Sequence, residues 1–202
     1  MTDLIPTPSE AAPQGIREQI IDAADAHFSH YGYAKTTMAD LAKAIGFSKA
    51  YLYRFFESKQ AIGEAICSRC LSQQLAVVRT AVDAAPGAHE KLRALFRATV
   101  EENRERFFSE RQLHDIVAHS AGGNWGSAVA YVAELDELLA EIIRDGRDRG
   151  EFERKTALDE VCRAIWLAMS PFVNPLMLQH NLDQVDAGLP AVTGLVLRSL
   201  AP

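Results

Sequence analysis

"TTMADLAKAIGFSKAYLYRFFESK", residues 36–59, holds two short apolar periodicities separated by a glycine, and the faces they define decide the fold. Thr37 is a good helix N-cap, and after it Met38, Leu41, Ala42 and Ile45 recur at i, i+3, i+4 and i+7 before Gly46 stops the run. Ser48 then caps a second helix. Successive residues advance about 100° on a helix, so Leu52 shares a side with Phe55 and Phe56, while Ala50, Tyr51, Tyr53 and Arg54 point the other way beside Lys49. The first set is core, to be packed on Leu41, Ile45 and a preceding helix. The second is an outer face with polar tips. Two helices joined by a turn of three or four residues containing glycine make a helix-turn-helix, whose second helix can enter the major groove of DNA.

The side chains on the outer face suit that use. Ala50 is small enough to approach a base edge or a thymine methyl, and Lys49 and Arg54 can donate to guanine or phosphate. Tyrosine hydroxyls and helix N-termini meet phosphate oxygens, which adds Tyr53, Thr37 and Lys59, the last at the start of a helix capped by Ser58. The whole chain has 21 basic and 27 acidic residues, a formal net charge of −6, which excludes nucleic-acid binding through overall charge. Residues 35–59 nevertheless hold five basic and two acidic residues, leaving 16 and 25 elsewhere. Positive charge is concentrated on this unit. The plainer reading, in which the aromatics only pack and the lysines are solvated surface, stays open on these residues alone.

Outward from this stretch almost every segment reads helical, with no alternating β-branched runs, so the chain is expected to be all-α with about nine helices. Ile16, Ile20, Ala24, Phe28 and Tyr31 mark one stripe of a first helix that Gly32 ends. The helix after Ser58 runs to about Ala84, where "AAPGAHE" makes a boundary. Further helices are expected at about 88–108, 110–120, 125–149, 156–180 and 184–200, with "GRDRGEF" (146–152) as a turn. Pro171 and Pro175 should kink or interrupt the fourth of these, and Pro190 blurs the start of the last. In "AIWLAMSPFVNPLML" (164–178) apolar residues surround the helix. Leu158, Val161, Ile165, Met169 and Phe172 form one stripe, yet Leu167 and Leu178 lie opposite, so either a second surface covers them or the helix is wholly internal.

The N-terminal "MTDLIPTPSEAAPQG" has two acids, three prolines and no Lys or Arg, which reads as a flexible arm rather than a signal peptide. No apolar run reaches the roughly 18 residues that cross a bilayer. Cys67, Cys70 and Cys162 cannot all pair within one chain, which suits a reducing cytoplasm. "CSRC" (67–70) reads as small buried residues rather than a metal or redox switch, and His114 and His119, five apart, point about 140° away from each other on a helix. No metal site and no cofactor is expected.

The run "YGYAKTTMADLAKAIGFSKAYLYRFFESKQAIGEAI" (31–66) resembles the DNA-binding domain of the tetracycline-repressor (TetR) family, whose typical sequence reads GY, T, an IA-type helix, GVSKGTLYHYF and SKE-L. The likeness covers about residues 14–66, and beyond them it is one of helix pattern only. It implies a homodimer with a three-helix reading head and a larger helical domain holding an effector pocket. The expected division is an arm at 1–13, a helix-turn-helix DNA-binding domain at 14–62, and an effector-binding and dimerisation domain at 63–202. Thr37, Ser48, Lys49, Ala50, Tyr51, Tyr53 and Lys59 fall where members of the family touch DNA, and the helix geometry adds Arg54. Two departures stand out. Tyr51 replaces a small Gly-Thr type of side chain, and Phe55 stands where Tyr or His is usual.

The family's last two helices form a four-helix dimer interface, which makes Trp166, Leu167, Leu178 and Leu195 candidates for it. Aromatic, polarisable or titratable candidates for the effector pocket are Phe107, Phe108, His114, Trp125, Tyr131, Trp166 and Met169. The expected function is a ligand-responsive regulator of transcription, a repressor released from double-stranded DNA at an inverted-repeat operator. One rival is a DNA-binding regulator with no small-molecule ligand. Another is an α-helical enzyme, for which the sequence shows no nucleophile elbow, phosphate loop or metal constellation.

Overall fold

The computed structural model describes residues 13–109, 116, 119, 120 and 122–202, and among them there are nine α-helices and no strand. Helices α1 (Pro13–Tyr31), α2 (Met38–Ile45) and α3 (Lys49–Leu52) precede the long α4 (Lys59–Asp83) and α5 (Ala88–Ser109). Then come α6 (Gly126–Asp148), α7 (Leu158–Val173), α8 (Pro175–Leu178), a 3-10 turn at Leu182–Gln184, and α9 (Val185–Ser199). The helix expected at 110–120 falls outside the described residues except at 116, 119 and 120.

Local chemistry sets the N-terminal boundaries. Thr37 and Asp40 form a capping box: the Thr37 hydroxyl oxygen accepts the Asp40 N–H at 3.2 Å, and the Asp40 carboxylate accepts the Thr37 N–H at 2.9 Å. Gly46 closes α2 in the left-handed conformation (φ 77°), and Ser48 and Ser58 cap α3 and α4 through the N–H groups of Tyr51 and Ala61. The expected helix at 156–180 is two helices. Asn174 precedes Pro175, whose ring excludes the helical conformation for it, so Asn174 turns extended (ψ 119°) and its side chain accepts the Leu176 N–H at 2.9 Å to cap α8. Pro171 and Pro190, by contrast, sit inside α7 and α9.

The apolar stripes build two cores. Ile20, Ala24 and Phe28 of α1 pack with Leu41, Leu52, Phe56 and the start of α4, at Ile62, Ile66 and Cys67. Val78 and Val82 at the end of α4 join Leu92, Leu95 and Phe96 of α5, Leu139 and Ile143 of α6, Ile165, Met169 and Phe172 of α7, and Val196 and Leu197 of α9. At 1.5 Å per residue the 25 residues of α4 span roughly 37 Å. One helix therefore supplies side chains to both cores. Midway, Arg69 ties it to α1 through Asp22 and, at 3.2 Å, Asp25. Burial raises the Asp25 pKa even against the pull of that guanidinium.

Two glycines permit close approaches between elements that position the site. Gly188 lets α9 settle on Phe172 of α7, where a Cβ would come within 2.8 Å of the ring. Gly63 of α4 does the same under Trp125 and Tyr33: a Cβ there would lie 2.8 Å from the indole and 3.0 Å from the phenol ring. Both rings are buried, so neither can swing into solvent. Gly63→Ala should destabilise the protein by about 1–3 kcal/mol through overpacking. Gly122→Ala, where an added Cβ meets nothing within 4 Å, should cost little. Urea unfolding of the two variants beside the parent protein measures the difference.

Candidate nucleic-acid interface and effector cavity

Helix α3 is a single turn, too short to hold itself together, so its neighbours fix its orientation. Leu52 (0% exposed) and Phe56 (3%) anchor it in the N-terminal core. Arg17 of α1 covers the Phe56 ring, with its guanidinium carbon 4.7 Å from the centroid. Of the residues expected on the outer face, Thr37, Ser48, Lys49, Ala50, Tyr53 and Arg54 are exposed together. Lys49 leans over the Tyr53 ring at 5.9 Å and Arg54 over the Tyr51 ring at 5.6 Å, so the two cations are presented on aromatic supports.

Tyr51 departs from the expected face. Its ring stands edge-on between Phe47 (5.1 Å) and Phe55 (5.3 Å) and is half-buried, because a one-turn helix lets the side chain lie back along its own flank. Phe55, expected in the core, is half-buried as part of the same stack. Lys59 is only partly exposed. Its ammonium donates to the Tyr33 carbonyl at 2.9 Å and lies 4.3 Å from the centre of the Tyr33 ring, so it also holds the α1–α2 turn against the first turn of α4.

A cavity of about 1050 Å³ lies between α4, α6 and α7, with Asn103 of α5 on its wall. Its lining is mainly apolar with a few polar groups, the usual composition of a small-molecule site. The Gln74 amide, 1% exposed, donates to Asn103 Oδ1 at 2.9 Å, and Asn103 donates onward to the Val173 carbonyl at 3.0 Å. This bridge links three helices across the cavity wall. Tyr131 and Trp166 line the cavity as expected from their type and position. Asp136, also on the wall, has its pKa raised by burial and partly restored by the Trp166 indole.

Other candidates are placed elsewhere. Met169 is fully buried in the larger core, because it continues the Ile165–Phe172 stripe while the cavity takes the neighbouring face with Cys162, Trp166, Ser170 and Val173. Trp125 is buried in the N-terminal core against Tyr33. The side chains of Phe107 and Phe108, and all of His114, lie outside the described residues. Leu178, expected at a dimer interface, is 2% exposed within its own chain because α8 folds it back into the core. Leu167 and Leu195 are 70% and 60% exposed, and Trp166 is half-buried with its ring edge-on to Phe96 at 5.7 Å.

Gln74, Asn103 and Asp136 were not singled out in the sequence. Gln74 was detectable: it interrupts the buried spacing Ile66, Cys67, Val78, Val82 on α4 with a polar side chain. All three cysteines line the cavity. Burial pushes the Cys67 thiol up to about 12 and raises Cys162, which leaves both as protonated, weakly reactive wall groups. Among the described residues no cluster of His, Cys, Asp and Glu could hold a metal ion, and no helix is long and apolar enough to cross a membrane.

Comparison with known proteins agrees with this architecture. The family model described as "Bacterial regulatory proteins, tetR family" matches residues 20–66, and "Tetracyclin repressor-like, C-terminal domain" matches residues 88–191. The chain is 42% identical over 55 residues to the biofilm operon negative transcriptional regulator IcaR of Staphylococcus aureus, a match spanning 27% of this chain and 30% of that regulator's length. It is 23% identical to the transcriptional repressor KstR2 of Rhodococcus jostii, over 81% of this chain and 83% of that one. Among solved structures, PfmR of Thermus thermophilus is 25% identical with a TM-score of 0.58, covering 91% of this chain and 99% of that one. The fatty acid degradation regulator FadR of Bacillus halodurans shares the fold at 21% identity, with a TM-score of 0.65 and coverage of 91% and 98%.

The capping box at the start of α2 should be visible in stability. Thr37→Ala should cost about 0.5–2 kcal/mol, the usual loss for such a cap. The Asp40 pKa is lowered, chiefly by the hydrogen bond from the Thr37 hydroxyl, so its stabilising contribution is complete above about pH 4 and is lost as pH falls through the lower, folded-state pKa. Urea unfolding across pH 2–6 should show a smaller acid loss in Asp40→Asn than in the parent protein.

Proposed function

The chain belongs to the tetracycline-repressor (TetR) family of bacterial regulators, and from that premise we propose that it is a DNA-binding repressor, not an enzyme, released from its operator by a small molecule. It acts in the cytoplasm as a homodimer. Residues 14–62 read DNA, and residues 63–202 bind effector and dimerise. The observation that carries this reading is the course of α4, which starts among the reading-head contacts and goes on to form a wall of the 1050 Å³ cavity.

Lys49, Ala50, Tyr53 and Arg54 face the major groove, and Thr37 and Ser48 meet phosphates, with Tyr51 and Lys59 at the edges of the footprint. Two relatives are named for repression, IcaR as a negative regulator and KstR2 as a repressor, which favours the same sign here. The exposed Leu167 of α7 and Leu195 of α9 support dimerisation through these helices, since neither is covered by the described residues of its own chain. Trp166 stands at the border of that surface and the cavity.

The mechanism is a shift of population. An effector that fits only one arrangement of α4 and α6 withdraws the other, DNA-competent arrangement, and affinity falls by the difference in its binding free energy between the two. A coupling of about 1–3 kcal/mol gives roughly 5–150-fold weaker operator binding. Two identical heads related by a two-fold axis require half-sites with the same symmetry, about 10 base pairs or a multiple apart.

The test starts from operator fragments selected from random DNA by the purified protein. The footprint should be an inverted repeat, and inserting five base pairs at its centre should abolish tight binding. Lys49→Ala should make the salt slope of log affinity shallower by about one unit. An asymmetric site indifferent to the insertion would contradict the two-headed reading.

A further inference from the structure

The aromatic support under Arg54 is a departure of this chain's own. Set against the typical GVSKGTLYHYF, Phe47, Tyr51, Arg54 and Phe55 stand where that pattern has Val, Thr, His and Tyr. The three aromatics make one stack: the Tyr51 ring meets Phe47 at 5.1 Å and Phe55 at 5.3 Å, and all three side chains are half-buried. Phe47 is fixed in turn by its own N–H, which donates to the Ala42 carbonyl of α2 at 2.9 Å. The exposed Arg54 lies over the Tyr51 ring, its guanidinium carbon 5.6 Å from the centroid. Among the described residues that guanidinium makes no ion pair and no hydrogen bond. Arg69, Arg79 and Arg144, by contrast, are each held by carboxylates.

Stacking and ion pairing leave a guanidinium in different states. A carboxylate takes its N–H edge, whereas a ring takes its flat face and leaves the N–H donors pointing outward in one plane. Arg54 follows Ala50 by four residues, and the backbone between them stays helical: the Tyr53 N–H donates to the Lys49 carbonyl and the Arg54 N–H to the Tyr51 carbonyl, each at 3.1 Å. Arg54 therefore shares the face of Ala50, whose single methyl lets the backbone come close to base edges. Two parallel N–H donors held in a fixed plane match the O6 and N7 acceptors of guanine. Lys49, over the Tyr53 ring at 5.9 Å, offers a point charge with no such plane. Resting on the reading of α3 as the helix that enters the groove, we infer that Tyr51 is a positioning residue for base recognition: its ring holds the Arg54 guanidinium flat, edge outward, against one guanine in each half-site. The Tyr51 hydroxyl has no part in this, since it makes no hydrogen bond among the described residues.

The experiment uses the full-length protein and operator fragments it selects from random DNA. Affinity is measured at one salt concentration for the selected site and for sites changed one base at a time. One position in each half-site should favour guanine over the other bases by about 5- to 150-fold. Arg54→Ala should erase that preference and keep those at other positions. Tyr51→Leu, which removes the ring, should lower it by about 2- to 5-fold, and Tyr51→Phe, which keeps the ring, should hold it. The preference is a ratio of two affinities of one sample, so it does not depend on how much of a variant is folded. Equal loss of affinity for every site in Arg54→Ala, with a salt slope shallower by about one unit, would put the guanidinium on phosphate and overturn the inference while leaving the DNA-binding reading intact. A guanine preference that Tyr51→Leu leaves whole, or that Tyr51→Phe loses, overturns the role of the ring. Failure of the parent protein to select any site overturns the inference and the DNA-binding reading together.

Discussion

Tyr33 meets Trp125 edge-on, 5.4 Å between ring centres, over the bare backbone of Gly63, and much of the molecule takes its position from that contact. The phenol ring also packs on Phe28 of α1 at 5.1 Å and on His119 at 5.4 Å, while its carbonyl and ring hold the Lys59 ammonium. Burial pushes the Tyr33 phenol up to about 12, so the ring stays neutral throughout the physiological range. On the other side, Trp125 is the residue before the first turn of α6 and accepts the Val129 N–H at 3.0 Å. One aromatic pair thus locates the α1–α2 turn, the beginning of α4 and the beginning of α6. Gly63 is what allows it: any side chain there would push the indole from its seat.

From this joint follows the relation between the two ends of the chain. Helix α3 has four residues and borrows its geometry from Leu52, Phe56 and the Phe47–Tyr51–Phe55 stack, so its outward groups are only as well placed as the core beneath them. That core includes the first turns of α4. The stretch of α4 from Ile66 to Gln74, and the α6 helix that Trp125 starts, line the cavity with α7. Trp125, Gly63 and Lys59 are therefore where α6 and α4 meet the head.

How much of this could be read from residues alone depends on the range of the interaction involved. Helix boundaries at Thr37, Gly46, Ser48 and Ser58 were legible because a cap is settled within four residues. The buried stripe Val161, Ile165, Met169, Phe172 and the exposed Leu167 opposite it were legible because 3.6-residue periodicity separates the faces. Which face meets which neighbour was not. Met169 and Trp166 differ by three residues, yet one lies in the core and the other on the cavity, a choice made by where α5 and α6 run. On an unbroken helix Leu178 would face outward, and the break at Asn174 turns it inward instead. Trp125 read as a pocket group because an indole suits one, while its true neighbours, Tyr33 and Gly63, are 92 and 62 positions away in sequence. The double engagement of Lys59 with Tyr33 is of the same kind, a contact 26 residues apart that no local pattern announces.

If α4 is one rigid body from Ile62 to Val82, a change at the cavity reaches the head. Native-state hydrogen exchange of the amides along this helix, followed at increasing low concentrations of denaturant, tests it most directly. A rigid α4 gives a single cooperative opening shared by the amides around Ile62–Ile66 and those around Gln74–Val82. Two separate openings, with the first turns exchanging alongside α1 and α2 while the rest of α4 stays protected, would contradict it.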